Sequence, residues 1–219
     1  MIKYIVFDFD GTLVDSKSVF ISVFNQLARK YKLKTMEADN IDYLRQLSIK
    51  ERCQYLGLPL YKLPFLSAEF LRLYKNSMKD VILIEGIKNL VDQLTQQGYT
   101  LAIISSNSKE NIQHFLQANQ IHTINLIYSS PNIFGKDRVI KKFLKTYRLN
   151  PEEVVYVGDE GRDIVACKKN NIKVIWVNWG YDIIEVASKE KPDFIANSPI
   201  EVAEIVNSLQ PTNGILESN

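Results

Sequence analysis

Four short apolar runs set the limits on what this chain folds into: Tyr4 to Phe9, Thr100 to Ser105, Val154 to Val157 and Val174 to Val177. Each is rich in β-branched residues, and none alternates strictly between apolar and polar. A strand with one wet face alternates, whereas a strand covered on both faces does not. The runs therefore read as central strands of a parallel sheet. Parallel neighbours need crossovers, and amphipathic helices stand where crossovers belong. Ile87, Leu90, Val91 and Leu94 mark one, stopped by Gly98. Ile112, Phe115 and Leu116 mark the next, Ile140, Phe143 and Leu144 a third, and Ile164, Val165 and Cys167 a fourth. The expected fold is α/β, a doubly wound, Rossmann-like parallel sheet with right-handed crossovers.

One stretch interrupts the alternation. Between Ser16 and Ile82 no run reads as a strand. Val19, Phe20, Val23, Phe24 and Leu27 give one amphipathic helix. Ile41 to Leu56 gives a second helical stretch, ended by Gly57 and Pro59, and Pro64 to Met78 gives another. The expected organisation is an α/β core from residues 1–15 and 83–210, an inserted α-helical cap over 16–82, and a flexible tail over 211–219.

Composition narrows the partners. The 219 residues carry a net charge of +2 and 24% charged side chains, so no broad field draws nucleic acid or membrane. Lys141-Lys142 and Lys168-Lys169 read as solvated helix faces. Cys53 and Cys167 are far apart, without metal-ligand spacing, and read as buried reduced thiols. No stretch reaches the length of an apolar span, and the N-terminus does not read as a signal peptide, so a cytoplasmic location is expected.

Ligands of open α/β sheets bind beyond the carboxyl ends of the strands. After the first strand come Asp8, Asp10, Gly11, Thr12 and Asp15; after the second, Ser105, Ser106 and Asn107; after the third, Gly158, Asp159, Glu160, Gly161, Arg162 and Asp163. Gly135-Lys136-Asp137 lies between the last two groups. Several acids converging on one crevice repel unless a cation separates them. Oxygen ligands with few fixed protein groups suit magnesium, which favours phosphate as a co-ligand. Ser106, Asn107 and Lys136 have the chemistry to bind phosphoryl oxygens, and Gly11 allows close backbone approach. Each piece alone is ordinary turn or helix-cap sequence. The ordered set, each member following its own buried strand, is what points to chemistry.

That set resembles the haloacid dehalogenase-like hydrolase superfamily, in its phosphoglycolate-phosphatase-like branch with a helical cap. Asp8-Phe9-Asp10-Gly11-Thr12-Leu13-Val14-Asp15-Ser16 matches the first signature. Ile103-Ile104-Ser105-Ser106-Asn107 resembles the second and Val157-Gly158-Asp159-Glu160-Gly161-Arg162-Asp163 the fourth. Lys136 fits the third, although Asp137 replaces the usual proline; Lys141 and Lys142 are rivals. The resemblance implies a magnesium-dependent phosphatase acting on a small phosphorylated metabolite, phosphoglycolate-like or a sugar phosphate. Asp8 would attack as nucleophile, Asp10 would serve as acid and base, and Lys136 would offset charge. Asp8, the Asp10 carbonyl and Asp159 would hold Mg2+, with Asp163 supporting the metal or orienting Lys136. Gly11, Thr12, Ser106, Asn107 and Lys136 would contact the phosphate. Asp10 disfavours dehalogenase and phosphonate-cleaving readings. A phosphosugar mutase stays open as an alternative, although Phe20 stands where mutases carry a cap histidine; so does a non-catalytic binding protein. His114, His122, Trp176 and the aromatics Tyr55, Phe65 and Tyr74 read as packing or surface residues; the Trp179-Gly180-Tyr181 segment follows a strand's carboxyl end, where it either packs or borders the crevice. Glu160 and Arg162 read as a local charge pair.

Overall fold

The computed structural model describes residues 1–130 and 134–210. The tail expected over 211–219 lies outside the described residues. Six parallel strands form the central sheet: β1 (Tyr4–Phe7), β4 (Thr100–Ser105), β5 (Leu126–Ser129), β6 (Val154–Gly158), β7 (Lys173–Val177) and β8 (Phe194–Ala196), in the order β5-β4-β1-β6-β7-β8. Two-residue strands β2 (Val14–Asp15) and β3 (Ile82–Leu83) pair antiparallel apart from it. The helices are α1 (Lys17–Tyr31), α2 (Ile41–Arg45), α3 (Ile49–Tyr55), α4 (Leu63–Asn76), α5 (Ile87–Gln96), α6 (Lys109–Ala118), α7 (Lys136–Tyr147), α8 (Gly161–Lys168), α9 (Ile184–Glu190) and α10 (Pro199–Ser208).

The lack of alternation has the expected cause. Ile5 and Phe7, Leu101 and Ile103, Val155 and Val157, and Ile175 and Val177 enter one core with α5, α6 and α10. The residues between them, such as Val6, Ala102, Ile104, Tyr156 and Trp176, enter a second core with α7, α8 and α9. Both faces of the inner strands are dry, so period two carries no polar signal.

The helices α1–α4 pack around a third apolar cluster of their own, including Phe24, Ala28, Leu44, Cys53, Leu63 and Leu66. The stretch expected as one helix over Ile41–Leu56 divides into α2 and α3. Ser48 divides it: its hydroxyl accepts from the Glu51 N–H while the Glu51 carboxylate accepts from the Ser48 N–H, a capping box that starts a new helix. Both cysteines are free and buried. Among the described residues no helix is long and apolar enough to cross a membrane.

Candidate active site

Strand β1 pairs with β4 on one side and β6 on the other, so three chain segments leave the sheet side by side at one edge. Asp8 leaves β1 with its N–H still bonded to the Val157 carbonyl at 2.9 Å. Its carboxylate accepts from the Phe9 N–H at 2.7 Å and is buried. The chain then turns sharply, with the Leu13 N–H on the Phe9 carbonyl and the Gly11 N–H on the Val14 carbonyl, both at 2.9 Å. The strand thus ends two residues earlier than the apolar run suggested.

Lys136, at the start of α7, reaches this edge from the other face of the sheet. Its Nζ donates to Asp8 Oδ2 at 2.7 Å and also to Asp163 Oδ1. Burial alone would lower the Lys136 pKa, but the charges of Asp163 and Asp8 outweigh it and the ammonium is held. Lys141 and Lys142 are exposed on α7. The structure brings Lys136 to the acids and leaves its two rivals in solvent.

Among the described residues, Asp8, Asp159 and Asp163 are buried and offer carboxylate oxygens within 4.8 Å of one another. Burial raises the Asp159 carboxyl well above its ordinary range, and the charges of Glu160, Asp8 and Asp163 add to the rise. Burial likewise pushes Asp163 up to about 6, against the pull of Lys136. Arg162 donates to Glu160, the local charge pair expected.

Asp10 is held differently. Its Oδ1 accepts from Ser16 Oγ at 2.7 Å and from the Tyr74 hydroxyl at 2.5 Å, and its Oδ2 from Asn107 Nδ2 at 2.9 Å. Burial raises its pKa, the three donors oppose the rise, and the Asp8 charge adds to it. Asn107 is fixed in turn by the Asn111 amide at 3.0 Å and the Ser129 hydroxyl at 2.7 Å. Ser106 is half-buried beside it, with Arg162 Nη2 at 3.4 Å from its hydroxyl.

Gly11 and Thr12, expected at the phosphate, both meet Asp159. A side chain at Gly11 would bring its Cβ within 2.2 Å of Asp159 Oδ2, so the glycine makes room for that carboxylate. Its φ of +79° is a second reason for glycine there. Thr12 is wholly buried, and its hydroxyl donates to Asp159 Oδ1 at 2.9 Å. Both residues position an acid.

The profile of the haloacid dehalogenase-like hydrolases matches residues 5–177. The chain belongs to the haloacid dehalogenase-like hydrolase family. It is 29% identical over 210 residues to a phosphoglycolate phosphatase of Synechococcus elongatus, covering 94% of this chain and 97% of that protein. It is 22% identical over 228 residues to pyrophosphatase PpaX of Bacillus cereus, covering 95% and 98%. Among solved structures, a predicted phosphatase from Clostridium acetobutylicum superposes with a TM-score of 0.80 at 18% identity, covering 95% of this chain and 99% of that one.

Within this family member the sequence reading missed several residues. Tyr74 of α4, expected as packing, has its hydroxyl on Asp10. Tyr181 donates its backbone N–H to Asp159 Oδ2 at 2.7 Å, and its hydroxyl lies 3.0 Å from Ser16 Oγ. Gly180 lets that segment come close, since a Cβ there would sit 2.1 Å from the Asp159 Cβ. Asp182 accepts from the Gly161 N–H at 2.7 Å and pairs with Arg52 of α3. The position of Trp179-Gly180-Tyr181 just after β7 was the one available signal; nothing in the α4 sequence separates Tyr74 from its apolar neighbours. His114 and His122 are exposed and away from the site.

Proposed function

We propose that this chain is a magnesium-dependent phosphatase that hydrolyses a small phosphorylated metabolite through a phospho-Asp8 intermediate. One observation carries the reading: Lys136 clamps Asp8 inside a group of three buried carboxylates, while a second, separately held acid, Asp10, stands two residues on. The phosphoglycolate phosphatases among its relatives support the same class of chemistry.

In the first step an Asp8 carboxylate oxygen bonds to phosphorus and the ester P–O bond breaks. The leaving alcohol takes its proton from the Asp10 carboxyl. In the second step Asp10, now ionised, takes a proton from water as the water oxygen bonds to phosphorus. The Asp8–phosphorus bond breaks, inorganic phosphate leaves, and both acids are restored. Lys136 offsets charge on the transferring group and holds Asp8 in place. Ser106 and Asn107, at the entry to α6, present hydroxyl and amide donors to the phosphoryl oxygens.

The donor set fits a hard divalent cation: carboxylate oxygens only, buried and close together. Asp8, the Asp10 carbonyl and Asp159 would hold it, with Asp163 supporting. When bound, magnesium supplies charge neutralisation for the phosphoryl oxygens. Thr12 and the Tyr181 N–H orient Asp159 for that task. Residues 16–82 act as the cap, which excludes water from the reacting atoms.

The test is phosphate release from acetyl phosphate and a panel of phosphorylated metabolites, with magnesium and with chelator. Wild type releases phosphate only with the metal, and Asp8→Asn loses about 10³-fold or more. Equal activity of the two proteins would remove Asp8 as nucleophile and sink the reading.

A further inference from the structure

The geometry points to a substrate whose leaving group is an apolar body of about ten non-hydrogen atoms, such as a substituted benzyl or a branched alkyl group. This rests on the phosphatase reading of Asp8 and Asp10 and names the substrate class of the same site.

A cavity of about 240 Å³ joins the phosphate-handling residues to the interior of the cap. Asp10, Ser106 and Asn107 border it from the core. Its other walls are Phe20 and Phe24 of α1, Leu44 of α2, Cys53 of α3, and Leu66 and Phe70 of α4. All four cap helices thus turn apolar side chains toward one space that opens on the proton-handling acid. Packed interiors hold few voids larger than a water molecule. An apolar void continuous with a catalytic group is where the non-reacting part of a substrate belongs. An apolar cavity of roughly 150 Å³ accepts benzene, so the larger space here takes a ring with a few further carbons.

Four cations border the cavity: Lys17, Arg45, Arg52 and Arg162. Lys17 donates to the Trp179 carbonyl at 2.7 Å and Arg45 to the Tyr181 carbonyl at 3.2 Å. Arg52 is paired with Asp182 and Arg162 with Glu160. Each of these four bordering cations is engaged by a protein acceptor. Lys17 and Arg45 meet neutral carbonyls and keep their charge at the border, while the apolar walls beyond them offer a second anionic group no partner. An apolar leaving group fits those walls.

The experiment is kcat/KM of the magnesium-loaded full chain for methyl, butyl, benzyl, 2-phenylethyl and biphenylmethyl phosphate, with phosphoglycolate and acetyl phosphate beside them. The expected result is a rise of about fourfold per buried methylene up to the single-ring esters, a drop at the biphenyl ester, and benzyl phosphate preferred over phosphoglycolate by at least about tenfold. Cys53→Phe, which fills the cavity, lowers the benzyl-to-methyl ratio; Leu66→Phe does the same from another helix, should the first fail to fold. A flat series, or phosphoglycolate preferred, with Asp8-dependent hydrolysis of acetyl phosphate intact, overturns the inference and leaves the phosphatase reading standing. No Asp8-dependent hydrolysis of any ester or of acetyl phosphate overturns both.

Discussion

In the proposed reaction the Asp10 carboxyl first gives a proton and then takes one. Its surroundings meet both needs: burial raises it toward the protonated form, while Tyr74, Ser16 and Asn107 donate to it and limit the rise. Asp10→Asn keeps the shape and removes the proton traffic. Steady-state turnover falls by roughly 10²–10⁴. Acetyl phosphate has a good leaving group and still phosphorylates Asp8, so the variant accumulates phospho-enzyme, read by intact mass. Absence of that species in a folded variant would take Asp10 out of the water-activating role. Thr12 gives a second test. Thr12→Val removes the hydroxyl donor on Asp159 without changing the volume much. The magnesium concentration for half-maximal activity rises by about 10–100-fold; an unchanged metal dependence would assign Thr12 to packing alone. The role of Thr12 was out of sight in the sequence because its partner, Asp159, lies far along the chain. Asp8, Asp10 and Asp159 were legible because each follows a buried strand.

At the scale of elements, the same contrast recurs. Strands β1, β4, β6 and β7 were legible because both their faces are dry. Strands β5 and β8 were not: they edge the sheet and leave residues such as Ile195 exposed, so no continuous apolar run marks them. The two-residue strands β2 and β3 are too short to leave a pattern. The contacts between helices α1–α4 and the rest of the chain were equally hidden, since an arginine on a short helix reads as solvated until its partner is known. Arg52 of α3 is such a case. It pairs with Asp182, whose other oxygen holds the Gly161 N–H at the start of α8. The side chains are 15% and 7% exposed, so the pair is largely dry. Arg52→Met leaves a buried carboxylate without its cation, and unfolding in urea shows a loss of about 2 kcal/mol, below the range for a fully buried pair because the arginine keeps some water. Asp182→Asn in the same chain recovers part of that loss. Independent, additive losses would mean that the two side chains do not stabilise each other.

For the whole molecule, three buried carboxylates within 4.8 Å of one another cost the fold stability that the proposed cation would return. Asp8, Asp159 and Asp163 stand close together at the sheet edge, Lys136 pairs with two of them, and Asp159 is raised by burial and by its acidic neighbours. Such a shell favours any bound divalent cation over the empty fold, and a ligand that binds only the folded state stabilises it in proportion to its saturation. With magnesium at about 100 times its dissociation constant the gain is about 2.7 kcal/mol. For a chain of this size that raises the melting temperature by about 5–10 °C over the chelated protein. Asp159→Asn relieves the repulsion and removes a ligand together. The chelated variant therefore melts no lower than chelated wild type, and magnesium no longer shifts it. A variant that melts below chelated wild type yet keeps the full magnesium shift would show that Asp159 serves the fold through Thr12 and Tyr181 rather than the metal.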